Sequence, residues 1–255
     1  MQDIDIVSLV GFTLIVVTFI AGFIDAIAGG GGMLTIPAFL FAGIPPHIAL
    51  GTNKLSSSFG SFTATVTYYR QGLFQLRVWR WHVLATAAGA CFGTWLVDQI
   101  SIDWLYKILP AVILSVALFS LAQRFWVNES NTQKPIPKKM ASIHGFIIGA
   151  YDGVAGPGTG SFWTLSLRFF YGLPLLNAIG ATKLMNFTSN FVSLLTFLWL
   201  GYVDILLGLT LGISLMTGSY LGAHTTMKLP THMISIFFNI FVIGISIRLA
   251  MIHWF

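Results

Sequence analysis

The chain has 255 residues, 56% of them hydrophobic and only 8% charged. A soluble domain carries about a quarter charged residues, so this composition excludes a soluble enzyme and a disordered chain, and a single cysteine, Cys91, excludes a disulfide scaffold. The net charge of +5 is not a basic face: Arg70, Arg77, Arg80, Arg124, Lys134, Lys138 and Lys139 stand at the ends of apolar runs, as in cytoplasmic loops, and no nucleic-acid partner is expected.

In chain order, the first apolar segment covers 7–27 and 33–42 and is broken at Gly29, Gly30, Gly31 and Gly32. Spans follow at 47–69, 80–98 and 104–124, each near the roughly 20 residues that a helix needs to cross a bilayer. The polar stretch 127–139 reads as a cytoplasmic linker, so the sequon Asn128-Glu129-Ser130 within it carries no meaning. A second broken segment, 141–155 and 160–171, is interrupted by Gly156-Pro157-Gly158-Thr159-Gly160, and spans at 176–199, 205–226 and 232–254 follow. The pattern predicts an all-α polytopic membrane protein embedded in a lipid bilayer. Ala26-Ile27-Ala28 imitates a signal-peptide cleavage site, but Asp3 and Asp5 replace a basic leader and the apolar run is too long. The same local sequence returns later, so this segment is expected to belong to the mature fold.

Two stretches match when overlaid. Gly22, Asp25, Ala28 and Gly29 align with Gly149, Asp152, Ala155 and Gly156. Gly43-Ile-Pro45 then pairs with Gly172-Leu-Pro174, and Ala49-Leu-Gly51-Thr-Asn-Lys54-Leu55 with Ala178-Ile-Gly180-Ala-Thr-Lys183-Leu184. The register runs on through Gly72 and Gly201 to Gly89-x3-Gly93 and Gly218-x3-Gly222. The chain is therefore a duplicated unit, 1–126 and 140–255. Basic loops at 70–80 and 124–139 point to the cytoplasm, while turns holding Asp98, Asp103 and Asp204 lack Lys and Arg and face outside. Corresponding spans then run in opposite directions, the inverted repeat common among secondary transporters. Parity requires each broken segment to enter and leave on one side as a re-entrant hairpin, 7–42 and 141–171. The lead helix 7–27 is long for that role, and four parallel spans per half are the alternative.

Trp79, Trp81, Trp95, Trp104, Trp126, Trp199 and Trp254 fall at expected interfaces, whereas Trp163 follows the second glycine loop and either packs in the core or lines a cavity. His47, His82, His144, His224, His232 and His253 show neither repeat correspondence nor metal spacing. They read as loop and interface residues, and no metal is expected.

Unpaired backbone groups in hydrocarbon cost several kcal/mol each, so glycine-rich breaks survive at membrane depth only inside protein or beside water. Each break is followed by a short helix whose N-terminus offers free N–H groups and about half a positive charge, an anion site. Gly30, Gly31, Gly32, Gly158, Thr159 and Gly160 are candidate backbone donors; the plainer reading is that these glycines only permit tight packing, as Gly89-x3-Gly93 and Gly218-x3-Gly222 do. Lys54 and Lys183 begin otherwise uncharged spans at matching places, where a lysine costs about 2.5–3.5 kcal/mol on insertion scales. Snorkelling would have to carry them to opposite faces, so a substrate role is the stronger reading. Asn53, Thr182 and Asn186 stand beside them, and polar stripes continue through Ser57, Ser58, Ser61 and Thr65 and through Asn190. Asp25 and Asp152, just before the breaks, can pair with the lysines, cap the half-helices or carry a coupled proton.

The motifs Asp25-x2-Ala28-Gly-Gly-Gly-Gly32, Thr52-Asn53-Lys54 and Asp152-x2-Ala155-Gly-Pro-Gly-Thr-Gly160 resemble those of the TauE/SafE (TSUP) family of sulfite and organosulfonate exporters. The resemblance extends over nearly the whole chain. It implies a multi-pass transporter of the bacterial inner membrane for anions such as sulfite, thiosulfate or organosulfonates. Thr182 stands where the first copy has Asn53, so the two half-sites differ chemically. The expected function is a secondary transporter with its anion held between the repeats by Lys54, Lys183 and the helix N-termini. No cofactor is expected, since no ATP-binding motif is present, and the sequence allows a homodimer. The rival readings are an anion channel and an intramembrane aspartyl protease built on Asp25 and Asp152.

Overall fold

The computed structural model describes residues 8–122, 137–228 and 232–254. Among these, every element is helical: α1 (Leu9–Ala28), α2 (Gly32–Phe41), α3 (Pro46–Arg70), α4 (Leu76–Asp98), α5 (Ile102–Ala122), α6 (Lys138–Val154), α7 (Thr159–Tyr171), α8 (Leu175–Leu200), α9 (Ile205–Thr226) and α10 (His232–Trp254). Arg124, Trp126, Lys134, the sequon at 128–130 and most of the linker lie outside the described residues, as does the side chain of His232. Local chemistry sets the ends. Ser8 accepts from the Gly11 N–H at 3.1 Å and Asp204 from the Leu207 N–H at 3.0 Å, each satisfying a free donor of a first turn. α3 and α8 both start after an extended proline, Pro45 and Pro174, whose fixed φ suits helix entry.

Two boundaries depart from the sequence reading. α6 begins at Lys138, inside the expected linker 127–139, because extended Pro137 delivers the chain straight into the helix; the Lys138 ammonium then sits 3.8 Å over the Trp81 ring. α4 likewise begins at Leu76, so Arg77 and Arg80 lie on its first turns and not in a loop.

α1, α5 and α9 are long and apolar enough to cross a membrane by length and composition alone. α3 and α8, with 25 and 26 residues, reach about 37–39 Å at 1.5 Å per residue, but their composition is diluted by the polar residues that they bury.

Small residues join the helices. α1 lies along α9 in the same direction: the Ser214 hydroxyl donates to the Ile15 carbonyl at 2.7 Å, the Ser219 hydroxyl to the Gly22 carbonyl at 3.1 Å, and Gly222 abuts Phe23. α6 lies along α4 in the same way, with Gly145, Gly149 and Gly153 against His82, Thr86 and Ala90. A Cβ at Gly93 would stand 2.0 Å from the Ala150 carbonyl, and one at Gly218 2.0 Å from that of Phe19. Gly218→Leu is therefore expected to cost at least about 1–3 kcal/mol through overpacking, measured by thermal unfolding in detergent. Gly244→Leu is the control, since no atom lies within 4 Å of that site.

The matching helices α3 and α8 run antiparallel. Gly51 abuts Tyr202, Ser61 accepts from Asn190 Nδ2 at 3.5 Å, and Asn177 Nδ2 donates to the Leu73 carbonyl at 2.8 Å. α5 and α10 pair the same way, through Asn239 to Ser120 at 3.1 Å and Trp254 Nε1 to the Lys107 carbonyl at 3.1 Å. The starts of α4, α6 and α8 thus gather at one end of the bundle and those of α1, α3 and α9 at the other.

Several side chains sit deeper than sequence alone suggested. Trp79, expected at an interface, is buried beside Tyr171. His82 and His144, read as loop or interface residues, occupy α4 and α6, where the glycine contacts bring their rings to 5.6 Å. His82 Nε2 and His144 Nδ1 lie 3.2 and 3.4 Å from the Tyr171 hydroxyl, and fully buried Trp163 packs on both rings as a core residue. His47 is also buried, its Nε2 3.3 Å from the Val97 carbonyl. Trp95, Trp104, Trp199 and Trp254 are exposed.

Candidate functional site

The two glycine breaks meet. Gly29 ends α1 in the left-handed region, φ 77°, with its N–H donating to the Asp25 carbonyl at 2.8 Å. A Cβ there would lie 2.5 Å from Gly160 Cα, and a Cβ at Gly160 would lie 2.4 Å from Gly29 Cα. The backbones cross where neither residue has room for a side chain, and the Ser161 hydroxyl ties the crossing by donating to the Ala28 carbonyl at 3.0 Å. α2 leaves from Gly31 and α7 from Gly158, which takes φ 72° as N-cap. Two helix N-termini and two helix C-termini therefore converge at the centre of the bundle.

Each lysine reaches into the opposite half of the chain. Lys54 Nζ lies 2.8 Å from Asp152 Oδ1, with the side chains 2% and 4% exposed, and also donates to the Asp152 main-chain carbonyl. Lys183 Nζ lies 3.0 Å from Asp25 Oδ2, with the side chains 1% and 18% exposed, and donates to the Asp25 carbonyl. Both ammoniums thus bind the last turn of a broken helix, where free carbonyls concentrate negative charge. The remaining carboxylate oxygens are also engaged: Asp25 Oδ1 accepts from the Gly31 N–H at 3.1 Å, and Asp152 Oδ2 accepts from the Ser189 hydroxyl. Since each carboxylate is neutralised by a lysine, the two do not form the proton-sharing dyad of an aspartyl protease.

A polar cavity lies between these groups. Asp25, Gly32, Asn53, Lys54, Asp152, Thr159, Gly160 and Asn186 line it, together with Gly29, Ser57, Gly156 and Asn190. Many of the wall residues fall in register pairs: Asp25 with Asp152, Gly29 with Gly156, Gly32 with Thr159, and Ser57 with Asn186. Its volume is about 20 Å³, room for about one water. The amide of Asn186 is buried and its Oδ1 has no hydrogen-bond partner. Asn53 differs, since its Oδ1 accepts from the Thr35 hydroxyl at 2.5 Å and the Ser57 hydroxyl at 3.4 Å.

Five sequence candidates are not on the cavity wall. Lys183 stands behind Asp25. The Thr182 hydroxyl pairs with that of Thr164 at 3.1 Å, the counterpart of the Asn53–Thr35 contact. Gly30 packs beside Met33 and Phe238, Gly31 serves Asp25, and Gly158 faces Val116. Sequence reasoning missed Ser189, Thr35 and Ser161. A signal for Thr35 existed, as the one hydroxyl in the apolar run of α2; Ser189 lies one turn after Asn186, and the matching position of the first copy is Gly60, so the register gave no polar pair there. Among the described residues, no group of three or more His, Cys, Asp or Glu side chains is arranged to hold a metal ion.

The family described as Sulfite exporter TauE/SafE matches the chain over residues 14–249. A protein from Sinorhizobium, described as probable membrane transporter protein ORF9, is 41% identical over 238 residues, covering 92% of this chain and 90% of its own. A probable membrane transporter protein from Haemophilus influenzae is 38% identical over 216 residues, covering 85% and 83%. The probable membrane transporter protein YfcA from Escherichia coli is 37% identical over 216 residues, covering 85% and 79%. No solved structure matches the chain. With a full-length match of this kind over a bundle of apolar helices, the chain belongs to the TauE/SafE family, a multi-pass membrane protein of transporter type and not an enzyme.

Proposed function

We propose that this chain is a secondary transporter, an exporter in the bacterial inner membrane, for small sulfur-containing anions such as sulfite, thiosulfate or organosulfonates. One observation carries the proposal: buried Lys54 and two helix N-termini line a polar cavity, with buried Lys183 behind Asp25, and the Asn186 amide on its wall has an unsatisfied oxygen. Lys54 supplies the charge that meets the anion, Lys183 adds its field from behind Asp25, and Asn53, Asn186, Thr159 and the Gly32 and Gly160 backbone contribute polar contacts. Asn186 lines the cavity, and a neutral amide can turn its N–H2 toward an oxyanion.

The two halves, 1–126 and 140–255, form inverted repeats in this reading. The antiparallel course of α3 against α8, and of α5 against α10, supports it. So does the gathering of helix starts, since α6 and α8 begin at one end of the bundle and α1 and α3 at the other, as two hairpins of opposite sense require. Alternating access then arises from rocking of one half against the other about the Gly29–Gly160 crossing.

The test is a thermal-shift panel on purified protein with sulfite, thiosulfate, taurine, sulfoacetate and sulfate, followed by flux of the best ligand in proteoliposomes. At least one sulfur anion is expected to stabilise the protein, and Asn186→Ala to weaken that ligand by about tenfold, the loss of about one hydrogen bond to a charged group. A panel in which no sulfur anion stabilises the protein refutes the substrate class.

A further inference from the structure

The site is electrically neutral before any anion arrives. Lys54 and Lys183 contribute two positive charges, and Asp25 and Asp152 two negative ones, each ion pair closed at 2.8 or 3.0 Å. A monoanion added to this buried cluster would leave a net negative charge in a medium that solvates it poorly, and buried charge without a partner is strongly disfavoured. A compensating positive charge must come with the anion. We infer that it is a proton and that Asp25 is its binding site, which makes the transporter an electroneutral proton–anion carrier. This inference rests on the anion-transport reading above and specifies its coupling.

Asp25 is singled out by the asymmetry between the two pairs. Asp152 is 4% exposed, and its two oxygens are held by Lys54 and Ser189. Both carboxylates line the cavity and both have their two oxygens engaged, but Asp25 is 18% exposed, so a proton can reach it and the neutral carboxyl then faces the anion directly. The groups around it fit the exchange. Lys183 on α8 is its ion-pair partner, and Lys54 and Asp152 share the cavity with it. Tyr68 on α3 lies nearby with its hydroxyl committed to the Ala26 carbonyl at 2.9 Å, and the α2 N-terminus meets it through the Gly31 N–H. Protonation removes the one negative charge that balances Lys183 and leaves that ammonium free to balance the anion. No covalent bond forms or breaks beyond the O–H of the carboxyl, which is returned on release.

The experiment uses the whole protein in liposomes loaded with a pH dye and given an inward gradient of labelled methanesulfonate, an anion throughout the pH range used. Anion uptake and lumen pH are followed separately. The expected result is acidification in step with uptake, about one proton per anion since one charge must be balanced, at a rate that clamping the membrane potential leaves unchanged. Uptake without acidification overturns the coupling and leaves the transport reading standing; no uptake above protein-free vesicles overturns the coupling as inferred here and the sulfonate part of the transport reading. In Asp25→Asn the protons carried per anion fall to about zero and whatever uptake remains becomes sensitive to membrane potential, because an amide cannot accept the compensating charge. Asp25→Glu restores the coupling. If the coupling survives in Asp25→Asn and is lost in Asp152→Asn, the assignment to Asp25 is overturned.

Discussion

Lys54→Ala is expected to lower unfolding stability by about 3–5 kcal/mol, because it strands the Asp152 carboxylate in a site 4% exposed with only the Ser189 hydroxyl as partner. Thermal or denaturant unfolding of the purified protein in detergent measures the loss, and anion flux in proteoliposomes is expected to disappear with it. The two effects separate in a double variant. In Lys54→Met with Asp152→Leu both charges are gone and the volume is roughly kept, and such replacements of a buried pair are often neutral or stabilising. That protein is expected to regain most of its stability while remaining inactive. Recovery of flux together with stability would make the ion pair purely structural. Lys183→Ala is expected to cost less, since Asp25 is 18% exposed and retains the Gly31 N–H.

Gly29→Ala is expected to damage the protein twice over, through conformation and through packing. The residue sits at φ 77°, which costs an L-amino acid about 1–2 kcal/mol. Its new Cβ would also lie 2.5 Å from Gly160 Cα, and overpacking backbone against backbone adds about 1–3 kcal/mol or more, since no side chain is there to turn away. The separation of the two breaks would shift the Asp25 and Asp152 carboxylates relative to the cavity, so flux should fall even in whatever fraction folds. Gly43→Ala is the comparison. Its φ of 81° carries the same conformational cost, but no neighbour lies within 4 Å, so only the smaller loss is expected there. Equal losses at both positions, read by thermal unfolding, would mean that the crossing is not under the close contact described.

Particular residues mark how far sequence reasoning reached. The helix ends were legible because their causes are local: Pro45 and Pro174 open α3 and α8, and Gly29, Gly43, Gly72, Gly156, Gly172 and Gly201 turn the chain with positive φ in three register pairs. The Gly89-x3-Gly93 and Gly218-x3-Gly222 motifs were legible as packing faces, because glycine at that spacing leaves a groove for a neighbouring backbone. Cysteine and histidine spacing told less. Nothing near His82 in sequence announces that α4 turns it toward His144, 62 residues on, and onto the Tyr171 hydroxyl.

The amino-acid sequence by itself determined the class of the protein, its broken helices and the presence of two lysines and two aspartates among apolar runs, because composition and glycine placement act over a few residues. Only the tertiary structure decided how those four charges are shared. Lys54 takes Asp152 across 98 positions and Lys183 takes Asp25 across 158, each from the opposite half. The pairing follows from helix faces brought together by backbone contacts at Gly29 and Gly160. It also decided that Lys54 lines the cavity while Lys183 stands behind Asp25, since two positions equal in a repeat see different neighbours once Asn53 and Thr182 have chosen their partners.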